Sequence, residues 1–455
     1  MVENIILEYN IYEDKELLHF VKELESRYNI KDEIEYFKEL VNFSKNKDVP
    51  YHRWFKYREG FSHDLIKELI KRSNISKDQY VLDPFCGAGT TVVEALRNGY
   101  SALGLDINPM SAFISKVKCT PYTEKDIKKF HEVYDKFIDY VYKCDIKDIN
   151  TCNRYEEVRK YFSDNNFNQL LSIKDFIDNI KFEKKIRNLF MCAYLCIIEE
   201  VSDRKRDGNG LRKSISKVSN VYEYYTEKLN EIIYDITNYR IDINLNADVI
   251  CGNAMDLEEH VKKFESAITS KVGAIMYSPP YANSFDYFES YKLEITLGDF
   301  VGDLKEINSY RVKAIESFIG RNDEREESFD FVNKVATEIQ NAIPVKEAKT
   351  GKRDSRTRKV PKMIKGYFSD MAKVIEQSSN ILSKGQKCYI VVDQSSYLGK
   401  IVPTDLFLAY IGEKYGFKIN EILVCRRART SGQQLQRYPY LKDILRESIV
   451  ILEKS

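Results

Sequence analysis

Long apolar runs are missing from this sequence. No stretch reaches the roughly 18 consecutive apolar residues of a membrane-spanning helix, so no membrane association is expected. The segment from Met1 to Leu18 carries acidic residues and lacks an apolar core of signal-peptide length, which argues against export. Zinc-type cysteine spacing is missing too. The nine cysteines are scattered, and the closest pair, Cys192 and Cys196, stands at helical spacing without a second pair of ligands. A shared core face is the plainer reading, and no metal is expected. Nine free thiols suit a reducing compartment, so a cytoplasmic location is expected. Net charge is nearly absent at +1, so any nucleic-acid surface must be local. There is no internal repeat.

What is present is enough for more than one average domain: 455 residues, with a hydrophobic share of 43% that is ample for a large core. Residues 1–50 read as helix, because Leu17, Leu18, Val21 and Leu24 recur at helical spacing among charges. The pattern then changes to short apolar strands, Tyr80–Asp83 and Ala102–Asp106, each followed by a helix, and this alternation predicts a parallel sheet. From 119 to 246 it stops; Phe190, Tyr194, Ile197, Ile198 and Val201 mark a helical insertion. Strands resume at Asp248–Cys251 and Val272–Tyr277, a second polar interruption covers 301–365, and the last quarter returns to strand and helix. The expected units are an N-terminal helical segment (1–50), three core parts (51–118, 247–300 and 366–455) and two insertions (119–246 and 301–365).

Two constellations carry chemistry. In Val81-Leu-Asp-Pro-Phe-Cys-Gly-Ala-Gly-Thr-Thr91 a strand runs into a glycine turn that opens a helix. Gly87 and Gly89 let backbone approach a ligand, and the helix N-terminus offers free N–H groups. Asp106, closing the second strand, suits hydrogen bonds to both hydroxyls of a ribose. A dinucleotide site is the nearest rival, but the third glycine of G-x-G-x-x-G is replaced by Val92. A carboxylate beside the turn, Asp83, repels pyrophosphate and suits the cationic sulfonium of S-adenosylmethionine.

The second constellation is an apolar strand ending in Ser278-Pro279-Pro280-Tyr281. At the carboxyl end of a strand in an open α/β sheet, this tetrapeptide is expected beside the first site. The prolines fix φ and remove N–H donors, leaving carbonyls outward. An exocyclic base amine is a poor nucleophile because its lone pair is delocalised. The Ser278 oxygen and the Pro279 carbonyl can accept its hydrogens as the nitrogen becomes tetrahedral. Tyr281 is expected to stack on a base taken out of a duplex.

Together these residues resemble the amino-methyltransferases of DNA, which share D-P-F-x-G-x-G-T-T and S/D/N-P-P-Y/F motifs. The likeness extends to His52-Arg-Trp-Phe-Lys-Tyr-Arg-Glu-Gly-Phe-Ser62, Cys251-Gly-Asn-Ala-Met-Asp256, Leu382-Ser-Lys-Gly385, the segment from Arg426 to Gln434, and Arg446-Glu-Ser-Ile-Val, about half the chain in all. The resemblance implies a Rossmann-like sheet of seven mostly parallel strands with the last antiparallel. It implies S-adenosylmethionine as cofactor, held by Phe61, Ser62, Asp83, Pro84, Phe85, Gly87, Gly89, Thr90, Thr91, Asp106 and Ile107, with Asn253, Ala254 and Asp256 at the adenine ring. Asn253 stands where the family usually has an acid, so Asn253 and Asp256 share that expectation. The catalytic set is Ser278, Pro279, Pro280 and Tyr281. Duplex DNA is the implied partner, with a separately encoded restriction endonuclease as a second.

The serine form of the tetrapeptide is typical of cytosine-N4 enzymes in this family and the aspartate form of adenine-N6 enzymes, so N4 of cytosine is expected and N6 of adenine is the alternative. The last core strand lies at the end of the sequence, which makes 119–246 the candidate recognition lobe. Between Lys346 and Lys365 nine cations face only Glu347 and Asp354, and Gly351 and Pro361 predict a loop there. Arg353, Arg356, Arg358 and Lys359 in it, with Arg426, Arg427 and Arg429, are the expected phosphate contacts. An RNA guanine methyltransferase is disfavoured by the serine at 278, and a non-catalytic DNA-binding subunit by the intact motifs. A fused nuclease is disfavoured because no Pro-Asp dipeptide occurs.

Overall fold

The computed structural model describes residues 11–143, 155–181, 183–207, 210–264, 271–320, 329–428, 430 and 432–455. Its strands, in chain order, are β1 (Ile30–Asp32), β2 (Tyr80–Asp83), β3 (Ser101–Asp106), β4 (Arg204–Asp207), β5 (Gly210–Lys213), β6 (Ala247–Cys251), β7 (Val272–Tyr277), β8 (Lys387–Asp393), β9 (Ser395–Tyr397), β10 (Lys400–Val402), β11 (Phe417–Arg427) and β12 (Arg446–Lys454). Eight form one sheet in the order β1-β11-β12-β8-β7-β2-β3-β6, while β4–β5 and β9–β10 are separate hairpins. β6, β3, β2, β7 and β8 run parallel, and β12 is antiparallel to both β8 and β11. The seven expected strands are all present, and the last is the antiparallel one.

The eighth strand departs from the expected N-terminal helix. Residues Lys15–Arg27 are helical, with Leu17, Val21 and Leu24 buried. Ile30–Asp32 instead pairs in parallel with Ile422–Val424 and covers the outer edge of β11. Three residues are too few to show a period, and what fixes them is the unpaired edge they satisfy.

Strand side chains alternate between two apolar layers. Val81, Ala102, Ala274, Met276, Val391 and Ile449 join one cluster, with helices His63–Ser73, Thr90–Arg97 and Pro109–Cys119. Leu82, Leu103, Leu105, Ile275, Ile390 and Val450 join the other, with helices Lys15–Arg27, Val360–Ile381 and Thr404–Lys414. Cover on both faces is why β2 and β7 read as continuous apolar runs.

The described residues of 119–246 form mainly helices: Glu124–Lys143, Asp164–Asp178, Lys184–Val201 and Val221–Asn238. Their interior is aromatic, with Phe137 edge-on to Phe176 at 5.1 Å and to Tyr225 at 5.2 Å. The β4–β5 hairpin, not expected from the sequence, ties this lobe to the sheet domain. Its buried Arg206 pairs with Glu199 and Glu294, donates to the Ser290 carbonyl at 3.1 Å and lies 4.2 Å from the Tyr291 ring centre.

The basic stretch is a shorter loop than expected, confined to residues 351–359. Gly351, in the left-handed region at φ 64°, ends helix Asp330–Thr350, and Pro361 lies in the first turn of helix Val360–Ile381. These two helices pack together, and the second runs straight through the expected boundary at 365. Among the described residues no helix is long and apolar enough to cross a membrane.

Candidate active site

The carboxyl ends of β2, β3, β6 and β7 open on one cleft. At its floor Asp83 shapes the turn that follows β2. One carboxylate oxygen accepts from the Phe85 N–H at 2.9 Å and the other from the Thr91 hydroxyl at 2.5 Å. Gly87 and Gly89 have φ of +50° and +88°, which L side chains rarely adopt. A Cβ would also lie 2.7 Å from the Tyr57 ring at Gly87, and 2.6 Å from Ser115 Oγ at Gly89. Gly87 therefore lets an aromatic ring close on the turn, and Gly89 lets helix Thr90–Arg97 pack against the next helix. Asp106 accepts from the Gly87 N–H at 2.9 Å and the Asn108 N–H at 2.8 Å, one donor per oxygen. Lone pairs on each oxygen remain for a ligand.

Charge in this cradle is one-sided. Burial pushes the Asp83 carboxyl up to about 7, its Thr91 and Phe85 bonds opposing and the Asp106 charge adding to the rise. Burial likewise pushes Asp106 up to about 6, against its two backbone bonds. Neither carboxylate forms an ion pair among the described residues. A cationic ligand that donates hydroxyls would relieve both, so a sulfonium nucleoside fits the residues present.

Ser278, Pro279 and Pro280, which follow β7, line the same cleft. The Ser278 hydroxyl donates to the Tyr281 hydroxyl at 3.0 Å, which donates to Glu447 Oε1 at 3.0 Å. Glu447 is paired with Arg426. This corrects the expected stacking role of Tyr281. Its ring packs on the second apolar cluster and does not line the cleft, because its hydroxyl is drawn to Glu447 at the start of β12. The aromatic faces that do line it are Tyr57, Phe61, Phe85, Tyr287, Phe288 and Phe318.

Of the residues expected at the cofactor, Phe61, Asp83, Pro84, Phe85, Gly87, Thr90, Asp106, Ile107, Asn253 and Ala254 line the cleft. Ser62, Gly89, Thr91 and Asp256 do not. Ser62 is buried behind it, Gly89 and Thr91 hold the turn, and Asp256 is exposed outside it. Asn253 Oδ1 accepts from the Met255 N–H at 3.0 Å, which leaves its NH₂ group as the polar edge there. Glu59 and Tyr57 line the cleft within the segment 52–62 and carried a signal there. Ala314, Ile315, Ser317 and Phe318 line it from the second insertion, in a polar stretch whose sequence has no period to mark them.

The expected phosphate contacts separate into two kinds. Arg353, Arg356 and Lys359 are exposed on the turn between helices Asp330–Thr350 and Val360–Ile381, and Arg427 is exposed at the end of β11. Arg358 is engaged by both Glu347 oxygens at 3.0 and 2.5 Å, and Arg426 is taken by Glu447. Arg429 lies outside the described residues.

Comparison with known proteins points the same way as this geometry. A family model for N6 and N4 methyltransferases, described as DNA methylase, matches residues 8–116. The type II methyltransferase M.BsoBI of Geobacillus stearothermophilus is 25% identical, covering 97% of this chain and 91% of its own. M.AvaI of Nostoc sp., also a type II methyltransferase, is 28% identical, with 97% and 94% covered. M.MvaI of Kocuria varians, a third, is 21% identical over 80% of this chain and 81% of its own.

Proposed function

We propose that this chain is an N4/N6 amino-methyltransferase that methylates an exocyclic base amine of duplex DNA, and that the amine is N4 of cytosine. S-adenosylmethionine is the methyl donor and supplies an electrophilic methyl group on a sulfonium cation. One observation carries the reading: a single cleft is lined both by the Asp106 cradle and by Ser278-Pro279-Pro280. Asp106 takes the ribose hydroxyls, Ile107, Asn253 and Ala254 surround the adenine, and Phe61, Phe85, Gly87 and Thr90 enclose the methionine end. Ser278 Oγ and the Pro279 carbonyl accept the hydrogens of the target amine, so that its lone pair turns toward the methyl group. A base must leave the duplex to reach them.

The choice of cytosine rests on serine at 278, the form typical of N4 enzymes in this family. Residues 119–246 act as the recognition lobe, anchored beside the cleft by Arg206. Arg353, Arg356, Lys359 and Arg427 contact phosphates. The three relatives are named as type II methyltransferases, which supports a separately encoded restriction endonuclease as the functional partner.

Duplex DNA methylated by this protein with labelled donor, digested to nucleosides, should yield N4-methylcytosine by mass spectrometry. N6-methyladenine would reassign the base, and label entering only tRNA would overturn the DNA reading.

A further inference from the structure

Methyl transfer to an amine leaves the nitrogen one proton too many, and the cleft must remove it. Three groups are lined up at that place. Tyr281 has one hydroxyl proton, and its acceptor is the Glu447 carboxylate at 3.0 Å. That proton is therefore committed, so Tyr281 can only accept from Ser278, whose hydroxyl lies 3.0 Å away. The polarity of the whole chain is set by its last member, and it leaves the lone pairs of Ser278 free toward the cleft. Sheet topology explains the arrangement. β12 runs antiparallel, so its N-terminal residues lie at the carboxyl ends of the parallel strands, with Glu447 opposite both Asp393 of β8 and Arg426 of β11. Glu447 is 2% exposed and ion-paired with the Arg426 guanidinium.

Resting on the reading of Ser278 as the amine acceptor, we propose that Ser278, Tyr281 and Glu447 form a proton relay whose terminal acceptor is Glu447. As the nitrogen bonds to the methyl carbon, the sulfur–carbon bond breaks and its electron pair stays on sulfur. The nitrogen releases one proton to Ser278 Oγ, the Ser278 proton passes to Tyr281 Oη, and the Tyr281 proton passes to Glu447 Oε1. Both hydroxyls end as hydroxyls and Glu447 ends neutral. One cationic charge and one carboxylate charge disappear together, so the step balances. Tyr281 and Glu447 touch neither donor nor base; they act through Ser278.

The test uses Tyr281→Phe, which keeps the ring and removes the hydroxyl, and Glu447→Gln, which still accepts a hydrogen bond but is a far weaker proton acceptor. Single-turnover methylation should fall on the order of 10²-fold in each, as for loss of a general base. The double variant should fall little further, because the groups act as one unit. Donor affinity of Tyr281→Phe by calorimetry should stay at the wild-type value, and the variant should stay folded with a somewhat lower thermal midpoint, since Glu447 loses a donor. Glu447→Gln also loosens Arg426, so Tyr281→Phe carries the test if the glutamine variant does not fold. A readout needing neither donor nor DNA is the Tyr281 hydroxyl proton by NMR, expected downfield in the wild type, absent in Tyr281→Phe and shifted upfield in Glu447→Gln. Wild-type methylation rates in Tyr281→Phe, or a rate loss matched by an equal loss of donor affinity, would overturn the relay. Failure of the wild type to methylate any DNA amine would instead overturn the functional reading itself.

Discussion

Asp106 and Ser278 line one cleft, and single substitutions should separate their roles. Asp106→Ala removes charge-assisted bonds to the ribose and should weaken donor binding by about 1.5–3 kcal/mol. Ser278→Ala should leave donor binding intact and raise the barrier to methyl transfer, by roughly 2.7–4 kcal/mol if the serine matches an oxyanion-hole donor in importance. Calorimetry with the donor and single-turnover kinetics on DNA distinguish the two. Donor affinity unchanged in folded Asp106→Ala, or full turnover in Ser278→Ala, would remove the respective assignment. Both residues are legible in the sequence because each follows directly from a strand end. Tyr281 is legible as a member of its motif but not in its role. The partner that turns its hydroxyl away from the cleft is Glu447, separated by 166 positions, and no local pattern carries that.

Elements are readable where a period or a turn residue marks them, which covers the seven core strands and the helices of residues 119–246. The edge strand Ile30–Asp32 and the hairpin β4–β5 are not, because short pairs are fixed by the partner they meet. The basic stretch misleads for a related reason. Gly351 and Pro361 look like loop residues, yet here they end one helix and start the next. The correction sharpens a prediction. Replacing Arg353, Arg356 and Lys359 together by glutamine should weaken binding to every DNA sequence alike. The slope of log affinity against log salt should flatten by about 0.9 for each phosphate that these side chains no longer neutralise. Arg358→Gln should instead loosen the helical hairpin, since Glu347 holds that side chain. Binding titrations across salt concentrations check this; weakening confined to one DNA site, with the slope intact, would make the turn a sequence reader.

At the scale of the whole molecule, two apolar layers clamp the sheet from both sides, and the strand ends carry the polar groups that cannot join either layer. Asp83 and Asp106 are the costly ones, the first buried and the second half-buried in the cleft, with no ion pair to a cation among the described residues. Their folded values, about 7 and about 6, lie above the roughly 3.9 of an unfolded aspartate. The folded protein therefore holds these protons more tightly than the unfolded chain does. Their contribution favours folding most below about pH 4 and is lost as pH rises through about 6 and 7. With no donor bound, these two groups should lower the thermal midpoint between pH 5 and pH 7.5. Donor binding reverses the sign. A sulfonium cation needs both carboxylates ionised, so at pH 5 protons must first be expelled, and affinity and stabilisation by mass action both suffer. S-adenosylmethionine should thus raise the midpoint more at pH 7.5 than at pH 5, and Asp106→Asn should reduce that difference. S-adenosylhomocysteine lacks the sulfonium charge and should show a weaker pH dependence than the donor. Melting curves at both pH values with each nucleoside decide the matter. A donor-induced shift that is the same at both would mean that these carboxylates do not sense the sulfonium.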